Sequence, residues 1–218
     1  LKKYVFLVFV VIVAGLNIAL IAFPKSITYS ISTPYKYMVT PGSGEWERFS
    51  SRQEKVESCN IPDKILNEMT TEALVETVLN YPLLADYISY DDHSIYSDIM
   101  ESEFNGYREL LQRKDINKEL LKKYKISQIL ENKEAKENDD YNSFLEAANI
   151  EFLLAHSQIK GNRLTMEEAS DFINLLKEKN TARTKSNCYS LNSFEYGRYF
   201  ENILDRSKLE NKYIVYTD

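Results

Sequence analysis

The segment that most constrains this chain is Tyr4 to Phe23, YVFLVFVVIVAGLNIALIAF, an unbroken uncharged run in which Asn17 is the only strongly polar residue. As a helix, about 20 apolar residues match the ~30 Å hydrocarbon layer of a bilayer. Lys2 and Lys3 precede the run and Pro24-Lys25 closes it. A cleaved signal peptide and a retained signal-anchor helix both fit residues 1–25. A signal core usually covers about 7–15 residues before a small-x-small cleavage site. This run is longer, and a cut after Ala22 would leave Leu20 where a small residue is needed. The retained transmembrane anchor is therefore the favoured expectation. In both readings the Lys pair stays cytoplasmic and the bulk of the chain crosses the membrane, although Lys25 and Lys36 weaken that charge bias. The expected location is extracytoplasmic, either membrane-anchored or secreted. A cytoplasmic protein that merely buries this helix is the weakest reading, because no other stretch is so uniformly apolar.

Charge is distributed as unevenly as hydropathy. The 218 residues include 27 basic and 33 acidic side chains, yet no acid precedes Glu45. With Lys2, Lys3, Lys25 and Lys36 set aside, 23 basic residues face all 33 acids, so residues 45–218 carry a net charge of −10. Such a body has no electrostatic drive toward nucleic-acid phosphates, and no nucleic-acid partner is expected. The basic cluster Lys118–Lys125 interleaves with Leu120, Leu121 and Tyr124, which is the pattern of an amphipathic helix with a solvated face.

Only 6 Gly and 5 Pro argue against an all-β protein with its many tight turns. Residues 26–44, SITYSISTPYKYMVTPGSG, have no helical period and read as a flexible tether with a short edge strand at Ile27, Tyr29 and Ile31. From Glu45 the pattern turns helical. Trp46 and Phe49 open a first stretch toward Ser58, Pro62 suits the first turn of a second, and Thr70 suits an N-cap for TEALVETVLNY. Pro82 stops that helix, and LLADYISY is read as another. Ile95 to Leu111 keep helical spacing, with Asn105-Gly106 either a break or a tolerated interior pair. Asp115 is expected to cap INKELLKKYKISQIL, and residues 131–140 form a solvated helix end or loop. Ser143-x-x-Glu146 and Thr165-x-x-Glu168 both have the form of capping boxes, with a turn at Gly161-Asn162 between the two helices. Leu191–Arg206 reads as a last helix, and the terminal YIVYT as a β-prone segment able to pair with the tether. The fold class expected is all-α, an irregular domain of about six to eight helices over residues 45–218.

Few residues offer chemistry. The two cysteines, Cys59 and Cys188, suggest a single disulfide in an oxidising compartment, worth roughly 5 kcal/mol in the chain-entropy account. The alternative is two small buried side chains or free thiols. A Cys188 nucleophile would need His93 or His156 beside it, and His156 at a helix end in FLLAHSQ reads instead as a capping cation. Asp91-Asp92-His93 is the densest group of chemically able side chains, near Asp98, Glu101 and Glu103. It fits a carboxylate-rich cation site or an acid/base pair, and equally an ordinary helix start. HExxH, EF-hand, Walker, GxGxxG and GxSxG motifs are all absent from the sequence, so no cofactor, metal or catalytic set is expected. Sixteen tyrosines are many, and Tyr81, Tyr87, Tyr90 and Tyr96 crowd one region suited to core-edge packing or to a recognition face.

Cys59-Asn60-Ile61-Pro62, Thr71-Glu72 with Leu74-Val75, Asn80-Tyr81-Pro82 and Phe104-Asn105-Gly106 follow one another in an order that resembles a group of exported, uncharacterised α-helical proteins of Gram-positive bacteria. The resemblance covers about a third of the chain and fades after Tyr124. It implies export and a helical module, and carries no catalytic residue. The expected function is a non-catalytic cell-surface interaction module, with the membrane reached through the N-terminal helix and a surface protein or glycan as partner. The alternatives are an extracytoplasmic hydrolase with a Cys-His or Asp-His site, and a membrane-anchored immunity or stress protein.

Overall fold

A computed structural model describes residues 30–84, 93–127 and 137–185. They form eight α-helices: α1 (Arg52–Ser58), α2 (Asp63–Glu68), α3 (Thr71–Leu79), α4 (His93–Glu103), α5 (Asn105–Gln112), α6 (Ile116–Ile126), α7 (Glu137–Ile159) and α8 (Met166–Lys185). A 3-10 turn at Trp46–Arg48 precedes them, and no strand occurs among the described residues. The all-α expectation is met. No helix among these residues is long and apolar enough to cross a membrane, and Tyr4–Phe23 lies outside them. The expected Leu191–Arg206 helix and the YIVYT segment also lie outside.

Local chemistry places the helix ends. Thr70 caps α3 by accepting from the Ala73 N–H at 3.2 Å. Thr165 and Glu168 form the expected reciprocal box at the start of α8, with Glu168 Oε2 accepting from Thr165 N at 2.8 Å and Thr165 Oγ1 from Glu168 N at 3.2 Å. The other expected box is a correction, since α7 begins at Glu137 and runs straight through Ser143. Ser143 is therefore interior to the helix and not at its start. Asp115 does not cap α6 with its side chain either; its Oδ1 accepts from Thr71 Oγ1 at 2.6 Å and so ties α6 to α3.

The Asn105-Gly106 pair breaks the helix. Phe104 is extended between α4 and α5, and its ring drops into the core at 0% exposure. Asn105 works as a surrogate strand residue, accepting from Ile61 N at 3.0 Å and donating to Ile61 O at 2.7 Å. Gly106 sits under the Phe104 ring, where a Cβ would fall 2.4 Å from Phe104 Cζ and 2.8 Å from Ile61 Cδ1.

Residues 31–39 are not a free tether, which corrects the domain boundary expected at residue 45. Ile31 forms a parallel bridge to Met69, with Ile31 N donating to Glu68 O at 2.7 Å and Thr70 N to Ile31 O at 2.9 Å. Tyr35 N donates to Thr77 Oγ1, and buried Tyr37 donates its phenol to Thr77 O at 3.0 Å. Burial pushes the Tyr37 phenol far above its usual range. Tyr37, Tyr81 and Phe104 then share one aromatic cluster, with Tyr81 stacked on Phe104 at 4.1 Å. The segment lacks a helical period because it covers α2 and α3 in extended form, with Ile31 and Tyr37 supplying the apolar anchors.

At the centre, α3 packs against α5, α6 and α7, and α6 also packs against α7 and α8. Leu74, Val75 and Val78 of α3 meet Tyr107 and Leu110 of α5, Leu120 and Tyr124 of α6, and Ile150 and Leu154 of α7 in one apolar core. The second half of α7 is the innermost element, with every residue from Ala147 to Gln158 buried.

Candidate functional site

A helix segment buried on all faces must satisfy each polar side chain it carries, because an unpaired buried polar group costs about 1–3 kcal/mol. Five such residues follow Asn149 or include it: Asn149, Glu151, His156, Ser157 and Gln158. Glu151 accepts from the Tyr124 phenol at 2.5 Å. His156 Nδ1 bonds to Ser97 Oγ, which also lies 2.9 Å from the Tyr107 hydroxyl. Ser157 donates to Asn117 Oδ1 at 2.6 Å, and Gln158 Oε1 accepts from Leu164 N at 2.9 Å. Asn149 breaks the rule. It is 4% exposed, and its carboxamide oxygen has no hydrogen-bond partner among the described residues.

Asn149 lines a half-open cleft of about 500 Å³. One wall is the end of α3, from Glu76 through Leu79 and Asn80, continued by the turn Tyr81–Leu84. Pro82 forces this turn, and Asn80 steadies it by donating its amide to Glu76 O at 2.7 Å. The opposite wall is Leu145, Glu146 and Asn149, at the i, i+1 and i+4 positions that share one face of α7. Lys123 of α6 closes one end, with its Nζ 2.7 Å from Glu76 Oε1 and 2.8 Å from Glu146 Oε1. Burial works against the Lys123 charge, but the hydrogen bonds to Glu146 and Glu76 outweigh it and hold the ammonium above the ordinary lysine value. A lysine kept protonated in this way is neither a base nor a Schiff-base nucleophile. The cleft thus offers an apolar wall, acceptor oxygens from Glu76, Asn80, Glu146 and Asn149, and one fixed cation. Its chemistry is hydrogen bonding and charge recognition.

A second, more open cleft of about 630 Å³ lies between α1, α2 and the α4–α5 junction. Its polar lining is already engaged: Asn105 holds Ile61, Glu103 pairs with Arg52 at 2.7 Å, and Arg108 donates to the carbonyls of Glu101 and Ser102. It offers packing space without an unmet polar group of the Asn149 kind.

The residues singled out from sequence fare differently. Asp91 and Asp92 lie outside the described residues, and His93 is the first residue of α4. Cys188 lies outside as well, so its pairing with Cys59 is not seen. Cys59 is fully buried beneath α1, and burial pushes its thiol up, against a weak opposing contact from the Ser58 hydroxyl at 3.9 Å. No group of three or more His, Cys, Asp or Glu suited to a metal ion occurs among the described residues.

His156 lies in the last turn of α7, the helix end expected for it, but it is 4% exposed and its ring is bonded to Ser97 inside the core. Serine and histidine in contact invite a nucleophile reading, but Ser97 and Tyr107 are both at 0% exposure. Ser97 Oγ is bonded to both His156 and Tyr107 and lines neither of the two clefts, so the chain of hydroxyls is a packing device. Tyr81, expected in an aromatic face, is buried on Phe104, while Tyr87 and Tyr90 lie outside the described residues. Lys118 and Lys122 of the basic cluster are solvated as expected, whereas Lys123 is the cleft's clasp.

Sequence reasoning missed Asn149, Glu76, Lys123 and Glu146. A signal existed in ANIEFLLA, where isolated polar residues interrupt an otherwise apolar run. No protein family matches the sequence, and neither a curated protein nor a solved structure is similar to it.

Proposed function

We propose that this chain is a non-catalytic interaction module, exported and presented outside the membrane by residues 1–25, and that it meets its partner through the Asn149 cleft. The observation that carries the reading is the Asn149 carboxamide oxygen, buried and without a hydrogen-bond partner among the described residues, beside Glu151, Ser157 and Gln158, whose side chains are bonded. A fold tolerates such a group where a ligand completes it. The apolar run Tyr4–Phe23 and the resemblance to exported helical proteins support presentation outside the cell. The protonated, doubly bonded Lys123 favours recognition over catalysis.

The test is photo-crosslinking in intact cells. A photoreactive side chain at Asn80, exposed on the cleft rim, should give a discrete adduct that Asn149→Leu abolishes. The same group at exposed Lys118, away from the cleft, should not give that adduct. An identical adduct from both positions, or one unaffected by Asn149→Leu, would refute the cleft as the recognition site.

A further inference from the structure

The cleft also indicates what it takes. We infer that its ligand is a cationic head on an aliphatic stem, as in the lysine or arginine side chain of a basic peptide. This inference rests on the cleft being a recognition site. Apart from the Lys123 ammonium, which is already doubly bonded, the charged groups lining the cleft are acceptors. Asn149 offers an unpartnered oxygen, and Glu76 and Glu146 each use one carboxylate oxygen on Lys123. Two carboxylates against one ammonium leave the site with an excess negative charge. Both carboxylates keep solvent contact, at 31% and 36% exposure, so an entering cation reaches them without displacing Lys123.

Leu79, Leu84 and Leu145 are only partly buried and form an apolar wall between the rim and Asn149. That arrangement suits a methylene stem lying along leucine side chains with its charged tip among oxygens. A neutral apolar ligand would leave Asn149 unmet, and an anion would face the carboxylates. The net charge of −10 over residues 45–218 adds long-range attraction for the same class. Free polyamines share the head group, so the probes must separate the two sources.

The full 218-residue chain, in non-ionic detergent micelles with labelled asparagine and lysine, is titrated and followed by NMR. The probes are N-acetyl-lysine methylamide, N-acetyl-norleucine methylamide and spermidine. The lysine probe should shift the Asn149 carboxamide with millimolar affinity, and the isosteric norleucine probe should bind at least about tenfold more weakly. Glu146→Gln should weaken the lysine probe, and added salt should do the same. A lysine peptide as ligand predicts that the acetylated lysine probe binds at least as well as spermidine. Spermidine binding more tightly would overturn the peptide source. Equal binding of lysine and norleucine probes would overturn the cationic class and leave the recognition site standing. If no probe, charged or neutral, perturbs Asn149, both the class and the site are refuted.

Discussion

Gly106→Ala gives the sharpest stability test of the helix break. The new Cβ would lie 2.4 Å from Phe104 Cζ, 2.9 Å from Phe104 Cε2 and 2.8 Å from Ile61 Cδ1. Ordinary carbon contacts sit at about 3.5–4.0 Å, so both neighbours must give by roughly an ångström. Neither has room, because Phe104 is at 0% and Ile61 at 1% exposure, and Tyr81 stacks on the Phe104 ring at 4.1 Å. Over-packing of this kind costs about 1–3 kcal/mol. Alanine recovers up to about 1 kcal/mol of helix propensity within α5. The rigid aromatic neighbour places the cost at the upper end, for a net loss of about 1–2 kcal/mol. For a domain of this size that lowers Tm by roughly 3–6 °C. Urea unfolding followed by circular dichroism should show a lower midpoint at unchanged slope. Removing the ring should relieve the clash, so Gly106→Ala with Phe104→Leu should lose less than the two single changes added together. A Gly106→Ala protein as stable as the parent, or more so, would refute the packing argument.

Three further outcomes follow from local geometry. Thr165→Ala removes the acceptor for Glu168 N and should cost about 1 kcal/mol, read as a urea midpoint, while Ser143→Ala inside α7 should cost far less. The raised Tyr37 phenol contributes stability that is complete below the unfolded tyrosine value of about 10 and is lost as pH rises beyond it. Stability should therefore fall less steeply above pH 10 in Tyr37→Phe than in the parent, and identical slopes would count against the buried bond to Thr77. Cys59 is fully buried with a raised thiol, so native protein should resist alkylation at this position. Non-reducing alkylation of the unfolded chain then decides the Cys59–Cys188 disulfide, since two alkylated thiols exclude it.

What the sequence revealed depended on how local the governing physics was. Helix existence and several ends were legible, because Thr70, Pro62, Pro82 and the Thr165–Glu168 box act within one turn. The wrong end at Ser143 came from a motif that a longer helix absorbs. Asp115 looked like a cap and serves a tertiary bond to Thr71 instead, which spacing along one helix cannot reveal. Residues 31–39 looked like a tether because extended segments leave no helical period, and their pairing with Met69 and Thr77 is long-range. The cleft was hidden for the same reason. Glu76, Lys123 and Asn149 come from three helices, and each alone is an unremarkable polar residue on an amphipathic pattern. Only the burial of every α7 residue from Ala147 to Gln158 turns Asn149 from ordinary into unmet.

The stability of Asn149→Leu in the absence of any ligand tests this claim most directly. Leucine keeps the branching at Cγ and removes the buried oxygen that has no partner among the described residues. The ligand-free variant should be more stable than the parent by about 1–3 kcal/mol in urea unfolding, the cost of an unsatisfied buried acceptor. A variant less stable than the parent by a similar amount would show that the carboxamide is already satisfied in the free protein, and the Asn149 cleft would lose its standing as a recognition site.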